Sequence, residues 1–315
     1  MKKKIGLLLS LFIPCLGMSV WAQKTSTPAK KSAPVKSVTA IVQPYKPLEK
    51  SLLWKISGKG LSKPSYVFGT MHAICTENYF FTPKMNQAYA SCNQLVLEMN
   101  LADESLLTES RTIFMLPEGI TLRDYFSDAA SYETFAQQLI EKTGLDIEMF
   151  TTLKPMALLS AMSMKTLPCQ QTTSYETKLV EAGRERKVKV TGLETLNMQM
   201  SLINELPREE QRMLLEETLK EIKANDGGEE NQNQLLNLYT QQDIEGLSKM
   251  IDQEEVMKAH APEFLFSRNH NWVNQLGDIM KKTPSFIAVG AAHLPGDDGL
   301  INLLRKKGYT VEAVK

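Results

Sequence analysis

Two stretches of this chain, far apart in sequence, end in the same way. Pro64-Ser65-Tyr66-Val67-Phe68-Gly69-Thr70-Met71-His72 and Pro284-Ser285-Phe286-Ile287-Ala288-Val289-Gly290-Ala291-Ala292-His293 each run an apolar segment into Gly and place His three residues later. A third apolar run, Leu95-Val96-Leu97, stops at Glu98. Continuous apolar runs flanked by helical patterns read as strands of a parallel sheet covered on both faces. Strands of one parallel sheet put their carboxyl ends on one rim, where ligands of α/β proteins collect. The repeat therefore constrains both the fold and the place of its chemistry.

The remaining pattern agrees with that architecture. Further strands are expected at 52–56, 187–192 and 309–314, and helices at 83–93, 174–183 and 299–307. Residues 122–164 are helical and Met-rich, and 195–282 are helical again, with breaks at Pro207, at Asp226-Gly227-Gly228 and at Pro262. The expectation is an α/β fold with a mostly parallel central sheet and a large helical cap region at about 120–282. That region either roofs the rim bearing His72 and His293 or packs on the far edge of the sheet. Its methionines read as adaptable core filling.

The amino terminus has the form of an export signal. Lys2-Lys3-Lys4 precede the apolar run Ile5–Cys15, and Val20-Trp21-Ala22 offers a cleavage point, so residues 1–22 are expected to be a signal peptide. The run is about half of the roughly 20 residues a spanning helix needs, and no later stretch is long enough. Pro14 argues against lipid attachment at Cys15. Residues 23–50, rich in Ser, Thr, Pro, Ala and Lys, read as a disordered linker, leaving 51–315 as the folded body. The chain balances 36 basic against 36 acidic residues, but nine Lys fall in the first fifty. An acid-rich body argues against nucleic acid as a partner.

Export favours a disulfide. Cys75 and Cys169 sit in turn-like contexts, whereas Cys92 reads as a small buried hydrophobe, so Cys75–Cys169 is the expected bridge, with three free thiols as the alternative.

His72, His293 and Glu98 form the candidate metal set. Two neutral imidazoles and a carboxylate suit Mn, Co or Zn with coordination positions to spare, and the imidazoles are expected within about 5 Å of each other. The plainer reading of a rim His is a loop hydrogen bond, and one Gly-x-x-His alone carries little. Glu194 follows the strand at 187–192 and is a candidate supporting or general-base carboxylate. Glu176 stands at a helix start, where the dipole alone favours an acid. His260, His270 and a His72–Cys75 zinc site are weaker candidates.

With those residues in place, the chain resembles the TraB/GumN family (TraB/PrgY/GumN), related to the animal Tiki proteins. The resemblance covers about 51–315 and rests on Leu53-Trp54-Lys55-Ile56-Ser57, Phe68–His72, Leu97-Glu98, Ser174-Tyr175-Glu176, Gly192-Leu193-Glu194-Thr195, Arg268-Asn269 with Trp272, and Val289–Leu294. It implies a metal-dependent protease activity and a fold group that includes erythromycin-esterase-like and haem-binding, ChaN-like proteins. It also implies a metal-binding core of His72, Glu98 and His293. By the same resemblance Tyr175, Glu176, Arg268 and Asn269 join Glu194 as candidate catalytic residues, the Arg-Asn pair steadying an oxyanion.

The leading expectation is an exported, metal-dependent hydrolase in the periplasm or outside the cell, cleaving a peptide or amide bond of a peptide or small-molecule substrate. The alternative is a non-catalytic periplasmic binding protein for haem, metal or a signalling peptide.

Overall fold

The structure is a computed structural model that describes residues 45–222, 228–253 and 255–315. Strand β1 (Leu53–Ser57) turns back on β2 (Ser65–Thr70) through Gly58-Lys59-Gly60, three residues in a row at positive φ. A two-residue strand β3 (Ile74–Cys75), helix α1 (Pro83–Ala90) and strand β4 (Gln94–Met99) follow. Helices α2 (Ser105–Ile113), α3 (Ala129–Thr143) and α4 (Pro155–Thr166) lead to β5 (Thr172–Thr173), α5 (Tyr175–Glu185) and β6 (Lys189–Glu194). Five further helices come next: α6 (Leu196–Asn204), α7 (Arg208–Glu221), α8 (Gly228–Thr240), α9 (Ile244–Ile251) and α10 (Glu255–Ala261). The π-helical segment Pro262–Phe266 then passes into α11 (Ser267–Lys282), and the chain closes with β7 (Ser285–Gly290), α12 (Leu300–Lys306) and β8 (Thr310–Ala313).

The main sheet has the order β6-β4-β7-β2-β1-β8. Strands β6, β4, β7 and β2 are mutually parallel, and β1 is antiparallel to both β2 and β8. The late strand β7 inserts between β4 and β2, with Ala288 beside both Leu97 and Phe68. That insertion makes neighbours of the strand ends carrying His72, Glu98 and His293. Every residue of β4 and β7 is buried, as a central parallel strand requires.

The α/β architecture with a mostly parallel sheet is as the sequence implies, but several details differ. Helix α2 and the small antiparallel pair β3–β5 were not expected. Pro262 does not break the chain's helical path. One wide turn of π-helix absorbs the missing N–H and joins α10 to α11. Cys92 lies beyond the end of α1, buried as expected. Of the break at 226–228, residues 226 and 227 lie outside the described residues, as do the expected signal peptide and most of the expected linker. The last part of that linker, from Tyr45, packs on the body. Leu48 is buried, Tyr45 Oη and the Leu48 N–H bond the Glu245 carboxylate, and Lys50 pairs with Asp243 at 2.7 Å.

The Cys75–Cys169 bridge is present with Cα atoms 5.8 Å apart, and Cys92 is a free thiol. It fastens β3 against the chain entering β5.

Candidate metal centre

Four parallel strands deliver polar groups to one rim: His72 just beyond β2, Glu98 near the end of β4, Glu194 at the end of β6, and His293 just beyond β7. Tight backbone contacts make this possible. A Cβ on Gly69 would stand 2.8 Å from Leu294 Cδ1 and 3.1 Å from Ala291 Cα, so only Gly lets β2 run beside the turn that carries His293. Helices α5, α6 and α11 add Glu176, Gln199, Arg268 and Asn269.

Each imidazole is fixed through Nδ1. For His72, Nδ1 lies 2.7 Å from Glu176 Oε1. Thr70 Oγ1 and Ser174 Oγ also donate to that carboxylate, at 2.5 and 2.8 Å. Burial alone would raise Glu176; His72 and the Thr70 hydroxyl outweigh it and hold the carboxyl below its usual range. An ionised carboxylate only accepts, so His72 Nδ1 donates and Nε2 faces inward, where it has no hydrogen-bond partner within the protein.

For His293, Nδ1 lies 2.8 Å from Asn269 Oδ1. The Asn269 amide group donates to the carbonyls of His293 and Asp298, which fixes Oδ1 as the acceptor. His293 Nδ1 therefore also donates, and its Nε2 carries the lone pair. Burial pushes His293 down to about 3, so the ring is neutral at ordinary pH. His72 differs: burial lowers it, but the Glu176 and Glu98 carboxylates prevail and raise it.

The two Nε2 atoms converge on a single oxygen. Glu98 Oε1 is 3.8 Å from His72 Nε2 and 3.9 Å from His293 Nε2, and accepts from the Gly290 N–H at 2.8 Å. Two ligands about 2.1 Å from one ion are at most about 4.2 Å apart, so both spacings suit a shared ion. The set is nonetheless open. Among the described residues, these three do not bring all their ligand atoms within 4.8 Å of one another, whereas Cys75, Glu77 and Cys169 do. The latter group has spent both sulfurs on the disulfide.

Arg268 is the cation of the cluster and is buried rather than on the surface. Its Nη2 donates to Glu98 Oε2 at 2.6 Å and Glu194 Oε2 at 2.8 Å, and its Nε to Glu194. Its Nη1 donates to the Phe264 carbonyl and approaches His293 Nε2 at 3.3 Å. Burial alone would raise Glu98, but Arg268 and the imidazoles bring its carboxyl down to about 2. Two buried carboxylates, Glu98 and Glu194, thus share one guanidinium, while a third, Glu176, faces His72. Buried charge of one sign is costly unless countered, and a divalent cation would counter it.

The expected residues therefore gather at one rim, with changes of part. Glu176 orients His72, while Glu194 is occupied by Arg268, Gln199 and the Trp272 indole N–H. In this structure Arg268 and Asn269 direct their donors to protein groups of the cluster. Tyr175 is not among the groups that meet there; its hydroxyl donates to the Phe80 carbonyl in the core. His260 pairs with Glu210 and His270 with Asp298, both away from the cluster. Gln199 went unnoticed in the sequence. It donates from Nε2 to both Glu98 and Glu194, at 3.1 and 3.2 Å. The signal was Thr195, the cap of a helix that starts directly on the rim; Met198 and Met200 around Gln199 hid it.

The TraB/PrgY/gumN family profile matches residues 52–313. The chain belongs to the TraB/PrgY/gumN family. Among curated relatives, this TraB/PrgY/gumN protein is 20% identical to Metalloprotease TIKI1 of Danio rerio, over 83% of the chain and 63% of that protein. It is 21% identical to Metalloprotease TIKI homolog of Nematostella vectensis, over 84% and 67%, and 20% identical to Metalloprotease TIKI2 of Danio rerio, over 83% and 60%. The chain thus spans about three-fifths to two-thirds of the length of these relatives. No solved structure matches it.

Proposed function

We propose that this protein is an exported metal-dependent hydrolase that cleaves a peptide or amide bond at the strand-end rim. The observation that carries the reading is the buried cluster: two carboxylates sharing one guanidinium, a third holding His72, and two oriented imidazole nitrogens converging on Glu98. His72, Glu98 and His293 would hold the ion, with Mn, Co or Zn all compatible with mixed nitrogen and oxygen donors. When bound, such an ion acts as a Lewis acid and draws the pKa of water from about 16 toward 7.

The protein's own part is orientation and charge. Glu176 and Asn269 hold the rings by Nδ1, as the outer partners of ligating histidines commonly do. Arg268 keeps Glu98 ionised and turns Oε1 toward both rings. The names of the curated relatives support a peptide substrate. The cavity beside His72 and Glu98, of about 10 Å³, is near the least that holds one water and far below the size of a haem. Its size speaks against the haem-binding alternative. No helix among the described residues is long and apolar enough to cross a membrane.

The test is element analysis of protein purified without chelator, alongside His72→Ala, together with peptide-library digestion. About one divalent ion per wild-type chain is expected, lost in the variant, with cleavage that chelator stops and metal restores. A wild-type protein without metal, or a loaded one that leaves every peptide intact, overturns the reading.

A further inference from the structure

The cavity beside His72 is lined by His72, Leu97, Glu98, Met99, Leu101, Glu176 and Gln199. Six of its seven lining residues are apolar or already explained by the ion-holding arrangement. Gln199 is the exception. Its side chain comes from the first turn of α6, only 6% of the residue is exposed, and it holds no place among the metal ligands.

The direction of its amide follows from its partners. Nε2 lies within hydrogen-bond distance of Glu98 Oε2 and Glu194 Oε2. Carboxylate oxygens paired with Arg268 accept and do not donate, so the group facing them is the NH2. Rotating the amide would set a carbonyl oxygen against two carboxylates. Oε1 is thereby committed to the other side, buried and without a hydrogen-bond partner within the protein. Such an acceptor is costly to bury unless something donates to it. A cavity of about 10 Å³ has room for one water as that donor.

We infer that Gln199 is a water-positioning residue: its Oε1 accepts a hydrogen bond from one water in the cavity beside His72, the water whose oxygen bonds the scissile carbonyl carbon as the C–N bond breaks, one of its protons passing to the departing amine. The inference rests on the hydrolase reading for the attack, but not for the water itself. Gln199 takes no proton. It sets where the water's oxygen lone pair points, while its NH2 is anchored by two carboxylates that Arg268 fixes in turn. A water held by an immobile acceptor is already oriented before the substrate arrives.

Two measurements test this. A high-resolution crystal structure of the wild-type protein, with and without added Zn2+, should show one ordered water about 2.7–3.0 Å from Gln199 Oε1. Gln199→Met keeps the side chain's length and removes both polar groups. It should lose that water, keep wild-type metal stoichiometry, and lower kcat about 10- to 100-fold with KM unchanged. A purely structural Gln199 would instead alter melting temperature or metal content with kcat per loaded site intact. The inference is overturned if the wild-type cavity is dry, if the amide is found reversed, or if the folded, loaded variant turns over at the wild-type rate. Should Gln199→Met fail to fold, the wild-type crystal structure decides alone. Absence of metal or of any hydrolysis in the wild type would remove the reaction, but the water at Oε1 would still be seen or not seen.

Discussion

At the scale of single residues, Arg268 has the largest consequences. It is buried and binds two buried carboxylates. Removing one partner of such an arrangement leaves charge stranded in a low-dielectric interior. Arg268→Ala should therefore cost about 3–5 kcal/mol, read from the denaturant midpoint, and Arg268→Lys should recover only part, because an ammonium lacks the planar fork. Glu176 poses a subtler test. Glu176→Gln keeps the shape but replaces a charged acceptor by a neutral amide. His72 then keeps an acceptor at Nδ1 but loses the charge that holds and strengthens it, and metal affinity should fall about 10- to 100-fold with little loss of melting temperature. Competition titration against a chromogenic chelator measures this, and an unchanged affinity would mean that His72 needs no charge on Glu176. His72, Glu98 and His293 were legible from sequence because each ends an apolar run, where a polar side chain is conspicuous. Gln199 was not, since a glutamine among helical residues looks like any surface position.

At the scale of elements, two glycines let the rim assemble. At Gly192 in β6, a Cβ would lie 2.6 Å from Asn100 N and 3.2 Å from Met99 C, both backbone atoms. At Gly69 the nearest obstacle is the tip of a leucine side chain, with Ala291 backbone next. A side-chain tip can shift, whereas two paired strands cannot. Gly69→Ala should cost about 1–3 kcal/mol, the usual range for overpacking, and Gly192→Ala should cost more. Paired urea melts decide the order, and equal costs would show that β4 and β6 separate easily. The strands themselves were readable because parallel strands covered on both faces are apolar throughout. Their spatial order was not. Nothing local tells β7 to insert between β4 and β2; that follows from how the three strand ends and the helices pack. The π-helical turn at Pro262 was unreadable for a related reason, since proline's local effect was absorbed by the helices on either side.

Across the whole molecule, the disulfide ties the stability of the fold to the proposed metal site. Cys75 lies three residues after His72, and Cys169 seven residues before Glu176, so the bridge and the β3–β5 pairing close round the His72–Glu176 hydrogen bond. The sequence separation of 94 makes the bridge a long-loop crosslink. Chain-entropy models value such a loop at roughly 4–5 kcal/mol, and the bridge's loss should lower the melting temperature by several degrees. Its effect should not end there. Without the bridge, the segment carrying His72 and the one carrying Glu176 keep the β3–β5 pairing, hydrogen bonds and the contacts of Tyr175 with Phe68 and Tyr79, but lose their covalent tie. Those two segments open more often, and a ligating histidine that loses its carboxylate loses affinity with it. The double variant Cys75→Ser, Cys169→Ser should therefore bind Zn2+ more weakly than the wild type even at a temperature where both are fully folded. Wild-type protein treated with dithiothreitol should follow the variant in both properties, whereas the variant should not respond to dithiothreitol. If the variant melts earlier yet binds metal as tightly as the wild type, the bridge secures the fold alone and the His72–Glu176 pair holds its geometry by itself.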